Sequence, residues 1–184
     1  YEWVAEGGVF IGIGEPSAVS GYMNYFRMAP VLGMDEDTGS RVCHGKWQYQ
    51  GSEIDGLIPE GTQIPAKENL FLTDAKTTVL AQTNGQPAVT EHPYGKGKGI
   101  YLSGFRLSNA STRFLMNLLL YTTGIGLNPE YLTDNPDTEC AYYPQNGKLV
   151  VINNSEKAQK TRVRTEAGEV SFELEPYATC MREI

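Results

Sequence analysis

An α/β domain followed by a small antiparallel, sandwich-like all-β module is the fold class that this sequence predicts, on three observations. Val9-Phe10-Ile11-Gly12-Ile13 is a short unbroken apolar run, the pattern of a parallel strand covered on both faces. A helix through Phe114, Leu115, Leu118, Leu119 and Tyr121 is apolar nearly all the way round, which predicts that it is sandwiched. Beyond residue 135 the chain alternates: Val163 stands between Arg162 and Arg164, and Val170, Phe172 and Leu174 flank Ser171 and Glu173, as half-buried antiparallel strands require.

Tyr1 to Gly8 reads as the tail of a helix closed by glycine, so the sequence reads as the C-terminal piece of a longer polypeptide. The strand over 9–13 follows, then the loop Gly14-Glu15-Pro16-Ser17-Ala18. Tyr22, Tyr25, Phe26, Ala29 and Leu32 predict an amphipathic helix whose end is blurred by Pro30. From 45 to 75, Gly51, Gly56, Pro59, Gly61 and Pro65 break every candidate element, leaving irregular chain with at most an edge strand. Thr77 to Thr83 is rich in β-formers, Asn84-Gly85 is a hairpin turn, and Val89 to His92 is the returning strand. Gly95-Lys96-Gly97-Lys98-Gly99 reads as a flexible connection to a buried strand over 100–103. Ser111 is read as the cap of the next helix and Gly124 as its stop. The prolines and acids of 128–137 mark a linker, which divides the chain into domains 1–135 and 136–184. Strands over 140–143, 148–153, 160–165, 170–174 and 177–182 complete the second, which is marginal as an independent unit and is expected to pack against the first.

Fifteen Lys and Arg against 22 Asp and Glu give the 184-residue chain a formal charge of -7, which repels phosphate backbones and anionic membrane faces. Nucleic acid and membrane partners are not expected. A chain of this size buries enough surface to need no metal or disulfide, and no cofactor is expected. Cys43, Cys140 and Cys180 lack metal-knuckle spacing and read as reduced thiols of a cytoplasmic protein, Cys140 and Cys180 as packed ones in strand-like surroundings. His44 and His92 are too few for a zinc site and read as satisfied surface or loop histidines.

The motifs weaken on inspection. Gly12-Ile13-Gly14-Glu15-Pro16-Ser17 starts like a dinucleotide fingerprint but has serine for the third glycine and proline in the turn. Asp35 to Gly39 begins like a calcium loop without its sixth-place glycine, and reads as a solvated helix end. Cys43 sits on no nucleophile elbow. The sequons at Asn109 and Asn153 carry little weight. Glu15 is the residue to single out, since α/β domains present chemistry on loops after strands. A carboxylate capping the next helix explains it equally well.

Particular strings say more. GGVFIGIGEPSA at Gly7 to Ala18, YFRMAPVLGMD at Tyr25 to Asp35, HPYGKGKGIYLSGF at His92 to Phe105 and STRFLMNLLLY at Ser111 to Tyr121 resemble the galacto-N-biose/lacto-N-biose phosphorylases (1,3-β-galactosyl-N-acetylhexosamine phosphorylases, glycoside hydrolase family 112). GKLVVINNSEKAQKTRVRTEAGEVSFELEPYAT at Gly147 to Thr179 resembles the C-terminal β domain of that family. Between Asp37 and Leu72 no motif matches.

The resemblance implies a parent with an N-terminal TIM barrel, a glutamine-amidotransferase-like α/β domain, of which 1–135 is the later part, and a small β domain at 136–184. Such bacterial enzymes split β-galactosides with inorganic phosphate, giving galactose 1-phosphate and an N-acetylhexosamine with inversion; a related branch takes galactosyl-rhamnose. It implies that the catalytic acid and sugar contacts lie on the barrel, so no catalytic residue falls in this chain, and Glu15 at most lines the rim of the barrel site as a substrate-binding residue. The implied partners are that barrel, the disaccharide and phosphate through the parent, and a second copy in a homodimer. The rival readings are a carbohydrate-binding module stacking sugars on Tyr142, Tyr143 and Tyr177, and a small hydrolase using Glu15, for which no partner carboxylate is visible in the sequence.

Overall fold

The computed structural model describes residues 1–16, 25–38, 54, 56–65 and 67–184. They fall into two units, one of residues 1–55 and 63–106, the other of 56–62 and 107–184. Strands predominate and helices are few.

The first unit is built on a four-stranded sheet. Helix α1 (Glu2–Ala5) leads through Gly7 and Gly8 into β1 (Val9–Ile13), which pairs in parallel with β6 (Gly97–Leu102). β5 (Gln86–Tyr94) and β4 (Thr78–Thr83) extend the sheet antiparallel, in the order β1-β6-β5-β4. The β4–β5 turn holds Asn84 at φ 52° and Gly85 at φ 75°, the left-handed pair that a type I′ hairpin demands. A second small sheet pairs β2 (Met34–Glu36) with β3 (Leu70–Leu72).

Several expectations are corrected here. Of the helix over 22–32, residues 22–24 lie outside the described residues, Tyr25 to Met28 form a bend and turn, and only α2 (Ala29–Leu32) is helical. Pro30 sits in its first turn, where a missing N–H is no loss, so it opens the helix instead of blurring its end. Gly33, at φ 62°, closes it and turns the chain directly into β2. Asp35, read as part of a solvated helix end, is therefore a buried strand residue. Gly97 and Gly99 are not a flexible connection but strand residues under close-packed backbone. A Cβ on Gly97 would lie 2.1 Å from Gly8 O and 2.2 Å from Val4 O, and one on Gly99 would lie 2.2 Å from Val31 O. The two glycines on this face of β6 are what let α1 and α2 lie close against the strand. His92, read as a surface or loop residue, is buried on β5.

Phe26, Ala29, Leu32, Met34, Leu70, Leu72, Val79 and Tyr101 form the core of this unit. The Tyr101 hydroxyl donates to Gly14 O at 2.9 Å, and burial pushes its pKa up.

The second unit holds helix α3 (Asn109–Thr123) and five strands. Ser108, not Ser111, caps α3: its Oγ accepts from the Ser111 N–H at 3.1 Å. The helix is covered on one face and not sandwiched, since Phe114 and Leu118 are buried while Met116 and Leu119 stay nearly half exposed. Buried Asn117 donates to Gly56 O and Leu57 O, at 3.0 and 3.2 Å, tying residues 56–62 to α3.

β7 (Thr138–Tyr143), β8 (Lys148–Asn153) and β11 (Thr179–Glu183) form a sheet in the order β11-β8-β7, and β9 (Gln159–Thr165) pairs with β10 (Gly168–Leu174). Leu149 and Val151 from the one and Val163, Phe172 and Leu174 from the other make the core between them, as the alternation predicts. Tyr177, expected in the last strand, stands in the preceding turn at φ 56°. Asn153, a sequon asparagine, is buried and donates to Lys157 O at 2.7 Å and Glu175 O at 2.9 Å.

Candidate functional site

The residues that gather chemistry in the first unit lie just past the carboxyl end of β1. Gly12 leaves no room for a side chain, since a Cβ there would lie 2.7 Å from the Pro16 ring, and Gly14 turns at φ 67°. The Gly14 N–H donates to Leu102 O at 2.9 Å, which pins the loop to β6 and directs Glu15 away from the strand end. Lys67 then places Nζ 2.8 Å from Glu15 Oε1 and 2.8 Å from Glu36 Oε2. The same ammonium lies 5.8 Å from the Phe26 ring centre, a cation–π distance.

Asp35 organises the ground beneath. Its carboxylate accepts from the backbone N–H groups of Tyr25 at 3.0 Å, Phe26 at 2.8 Å and Glu36 at 2.9 Å. Glu36 is thereby fixed beside Lys67 and Tyr25 beside Glu15.

The electrostatics follow. The hydrogen bond and charge of Lys67 hold the Glu15 carboxyl below the usual carboxylate range. Partial burial pulls Lys67 down, but the two glutamates outweigh it and leave its pKa raised. Burial first, then the charges of Glu15 and Glu36, push the Tyr25 hydroxyl up. A general acid needs a carboxyl kept protonated near neutral pH. Here one cation serves two carboxylates and holds Glu15 as an anion, which suits an ion-pair clamp and not proton donation.

Glu15 is thus brought together with a second carboxylate, but through a shared lysine. Sequence reasoning missed Glu36 and Lys67: the first was assigned to a solvated helix end, the second to a stretch without periodicity. Among the described residues no cluster of three or more His, Cys, Asp or Glu stands ready to hold a metal, and no helix is long and apolar enough to cross a membrane.

The remaining sequence candidates are dispersed. Cys43, His44 and Ser17 lie outside the described residues. Cys140 and Cys180 flank Val151 from opposite sides in register, two strand spacings or about 9.6 Å apart, too far for a disulfide. The Cys140 thiol donates to Tyr131 O at 3.0 Å, and burial pushes its pKa up, as befits a packed thiol. The three tyrosines do not form one platform. One face of Tyr142 is covered by the parallel ring of Tyr131 at 4.1 Å, and Tyr143 points to the opposite side of β7. Tyr143 pairs with Lys148 at one end of β8, while the Tyr177 N–H bonds to Ser155 O beyond the other end.

The comparisons with known proteins agree with one another. The family profile described as lacto-N-biose phosphorylase central domain matches residues 1–126, and that described as lacto-N-biose phosphorylase C-terminal domain matches residues 131–181. The chain is 42% identical over 161 residues to the D-galactosyl-β-1→4-L-rhamnose phosphorylase of Lachnoclostridium phytofermentans, a match covering 88% of this chain and 22% of that protein. It is 28% identical to the 1,3-β-galactosyl-N-acetylhexosamine phosphorylase of Bifidobacterium longum subsp. longum, over 98% of this chain and 29% of that protein. It therefore spans about a quarter of the length of the curated relatives it matches. Among solved structures, the cold-adapted β-galactosidase of Rahnella sp. R3 shares the fold, with a TM-score of 0.51 at 18% identity, over 100% of this chain and 30% of that one. With both profiles matched in order along it, this chain belongs to the lacto-N-biose phosphorylase family.

Proposed function

We propose that this chain is the non-catalytic central and C-terminal portion of a larger inverting galactoside phosphorylase. The observation that carries the reading is the ordered match of both family profiles across 1–126 and 131–181, on a chain a quarter as long as its relatives. The first 135 residues act as the later part of an amidotransferase-like α/β domain and 136–184 as the β domain. They buttress an N-terminal TIM barrel within a cytoplasmic homodimer.

In the parent, phosphate attacks the anomeric carbon of the galactosyl unit as the glycosidic C–O bond breaks, and one carboxylic acid gives its proton to the departing oxygen. That acid belongs to the barrel. The Lys67 clamp supports this division, because it keeps Glu15 ionised and binds Glu36 in the same ion pair. Glu15, more than half exposed, is left to face the barrel rim as a hydrogen-bond acceptor for substrate hydroxyls.

The acceptor released is L-rhamnose in preference to an N-acetylhexosamine, a reading supported by the higher identity to the galactosyl-rhamnose enzyme. Galactose 1-phosphate release is the test, with galactosyl-β-1,4-rhamnose and galacto-N-biose offered separately. The gene-length protein should turn over the rhamnoside faster, and the 184-residue chain should release nothing from either. Turnover by the 184-residue chain alone overturns the division of labour.

A further inference from the structure

The four-stranded sheet has two edges of different make. β4 carries Thr78, Gln82 and Thr83 and has register shifts between Val79 and Gln82, features that blunt an edge against further pairing. β1 is Val-Phe-Ile-Gly-Ile, without charge, proline or register shift. Gly8 O accepts from the Lys98 N–H at 3.2 Å and the Gly14 N–H donates to Leu102 O, so the even-numbered positions face β6. Alternation along a strand then directs the N–H and C=O groups of Val9, Ile11 and Ile13 to the outer edge. Among the described residues no strand pairs there.

The flanks of that edge are apolar and open. Ile13 is 40% exposed at one end, and at the other the Trp3 ring, 64% exposed, lies against Gly8. Topology names the occupant. A helix that feeds a parallel strand is the second half of a strand–helix–strand crossover. β6, β5 and β4 fill one side of β1, so a strand preceding α1 has its place only on the other.

We propose that the outer edge of β1 is the pairing site for a parallel strand contributed by polypeptide that precedes Tyr1 in the parent phosphorylase, with Trp3 covered by the same segment. This rests on the parent reading above for the existence of that polypeptide. It makes the first unit complete only in the longer protein, joined to it by backbone hydrogen bonds as well as side-chain packing.

Hydrogen exchange on the gene-length protein and on the 184-residue chain, with phosphorolysis assayed on the same preparations, tests it. Amides of residues 9–13 should exchange roughly 100-fold more slowly in the longer protein, while those of β8 stay unchanged. Ile13→Lys, placed at the exposed end of the edge, should erase part of that protection. Equal exchange of residues 9–13 in both proteins overturns the edge proposal even if phosphorolysis is observed. Protection without phosphorolysis upholds the edge and sinks the parent activity. A reading frame that starts at Tyr1 removes both.

Discussion

The two units close their cores by opposite devices. Between the strands of the second unit, bulk does the work: Leu149, Val151, Val163, Phe172 and Leu174 project from facing strands and fill the space between them. In the first unit, the approach of α1 and α2 to β6 depends on missing bulk, because Gly97 and Gly99 let carbonyls of Val4, Gly8 and Val31 come within reach of the strand backbone. A core made by filling shows in hydrophobic alternation, whereas a core made by vacating shows only as glycines, which read equally well as a flexible turn.

The largest effect should come from emptying the filled core. Phe172→Ala removes a ring 2% exposed, over which the Arg182 guanidinium sits at 4.6 Å, and should cost about 4 kcal/mol. Urea unfolding followed by hydrogen exchange should put the loss on β7 to β11 and leave β4 to β6 protected. A loss under about 1 kcal/mol contradicts the assignment of this core.

Filling the vacated core comes next. Gly99→Ala sets a Cβ against a backbone carbonyl that has no rotamer to yield, and should cost about 3 kcal/mol. The mirror experiment, Ser171→Ala on the exposed face of β10, should stay within about 0.5 kcal/mol. If Gly99→Ala is as mild as Ser171→Ala, the glycines of β6 are a turn signal after all and the contrast fails.

These cases explain how far the sequence could be read. The hairpin at Asn84-Gly85, the strand over 9–13 and the alternating strands of the C-terminal unit follow from local chemistry. β2 and β3 do not, because three-residue strands held by partners far along the chain carry no period, as Met34 and Leu72, 38 positions apart, illustrate. The cap of α3 reads as Ser111 instead of Ser108 in the sequence because the two serines lie three residues apart, and only the extended backbone of Ser108 decides between them. For the candidate site, Glu15 was legible from its place after a strand. Its partners were not, since Lys67 arrives from 52 residues away with no local signal.

Asp35→Asn should have a smaller effect than either core change, about 2 kcal/mol. The amide keeps the shape but turns an NH₂ toward N–H groups of Tyr25, Phe26 or Glu36 that need an acceptor. Its distinctive mark should be local, with faster exchange at residues 25, 26 and 36 and no change in the second unit. Uniform destabilisation of both units would deny Asp35 its organising role.

The last contrast is one of pH. His92 is buried on β5, with Nε2 3.9 Å from Asp74 Oδ2, and no described group bonds its Nδ1. Burial outweighs the Asp74 carboxylate, and with the Lys76 charge it holds the imidazole below the usual histidine range. The folded chain therefore keeps His92 neutral where the unfolded chain, titrating near 6.5, already takes up a proton. Stability of the first unit should fall as pH drops below about 6.5, and level off only when the folded imidazole also protonates. The second unit, residues 56–62 and 107–184, contains no histidine, and its stability should show no such slope near pH 6. Titration of the His92 ring protons by NMR, assigned with His44→Gln, checks the sign directly. A midpoint above 6.5 would mean that Asp74 wins over burial and that the slope runs the other way.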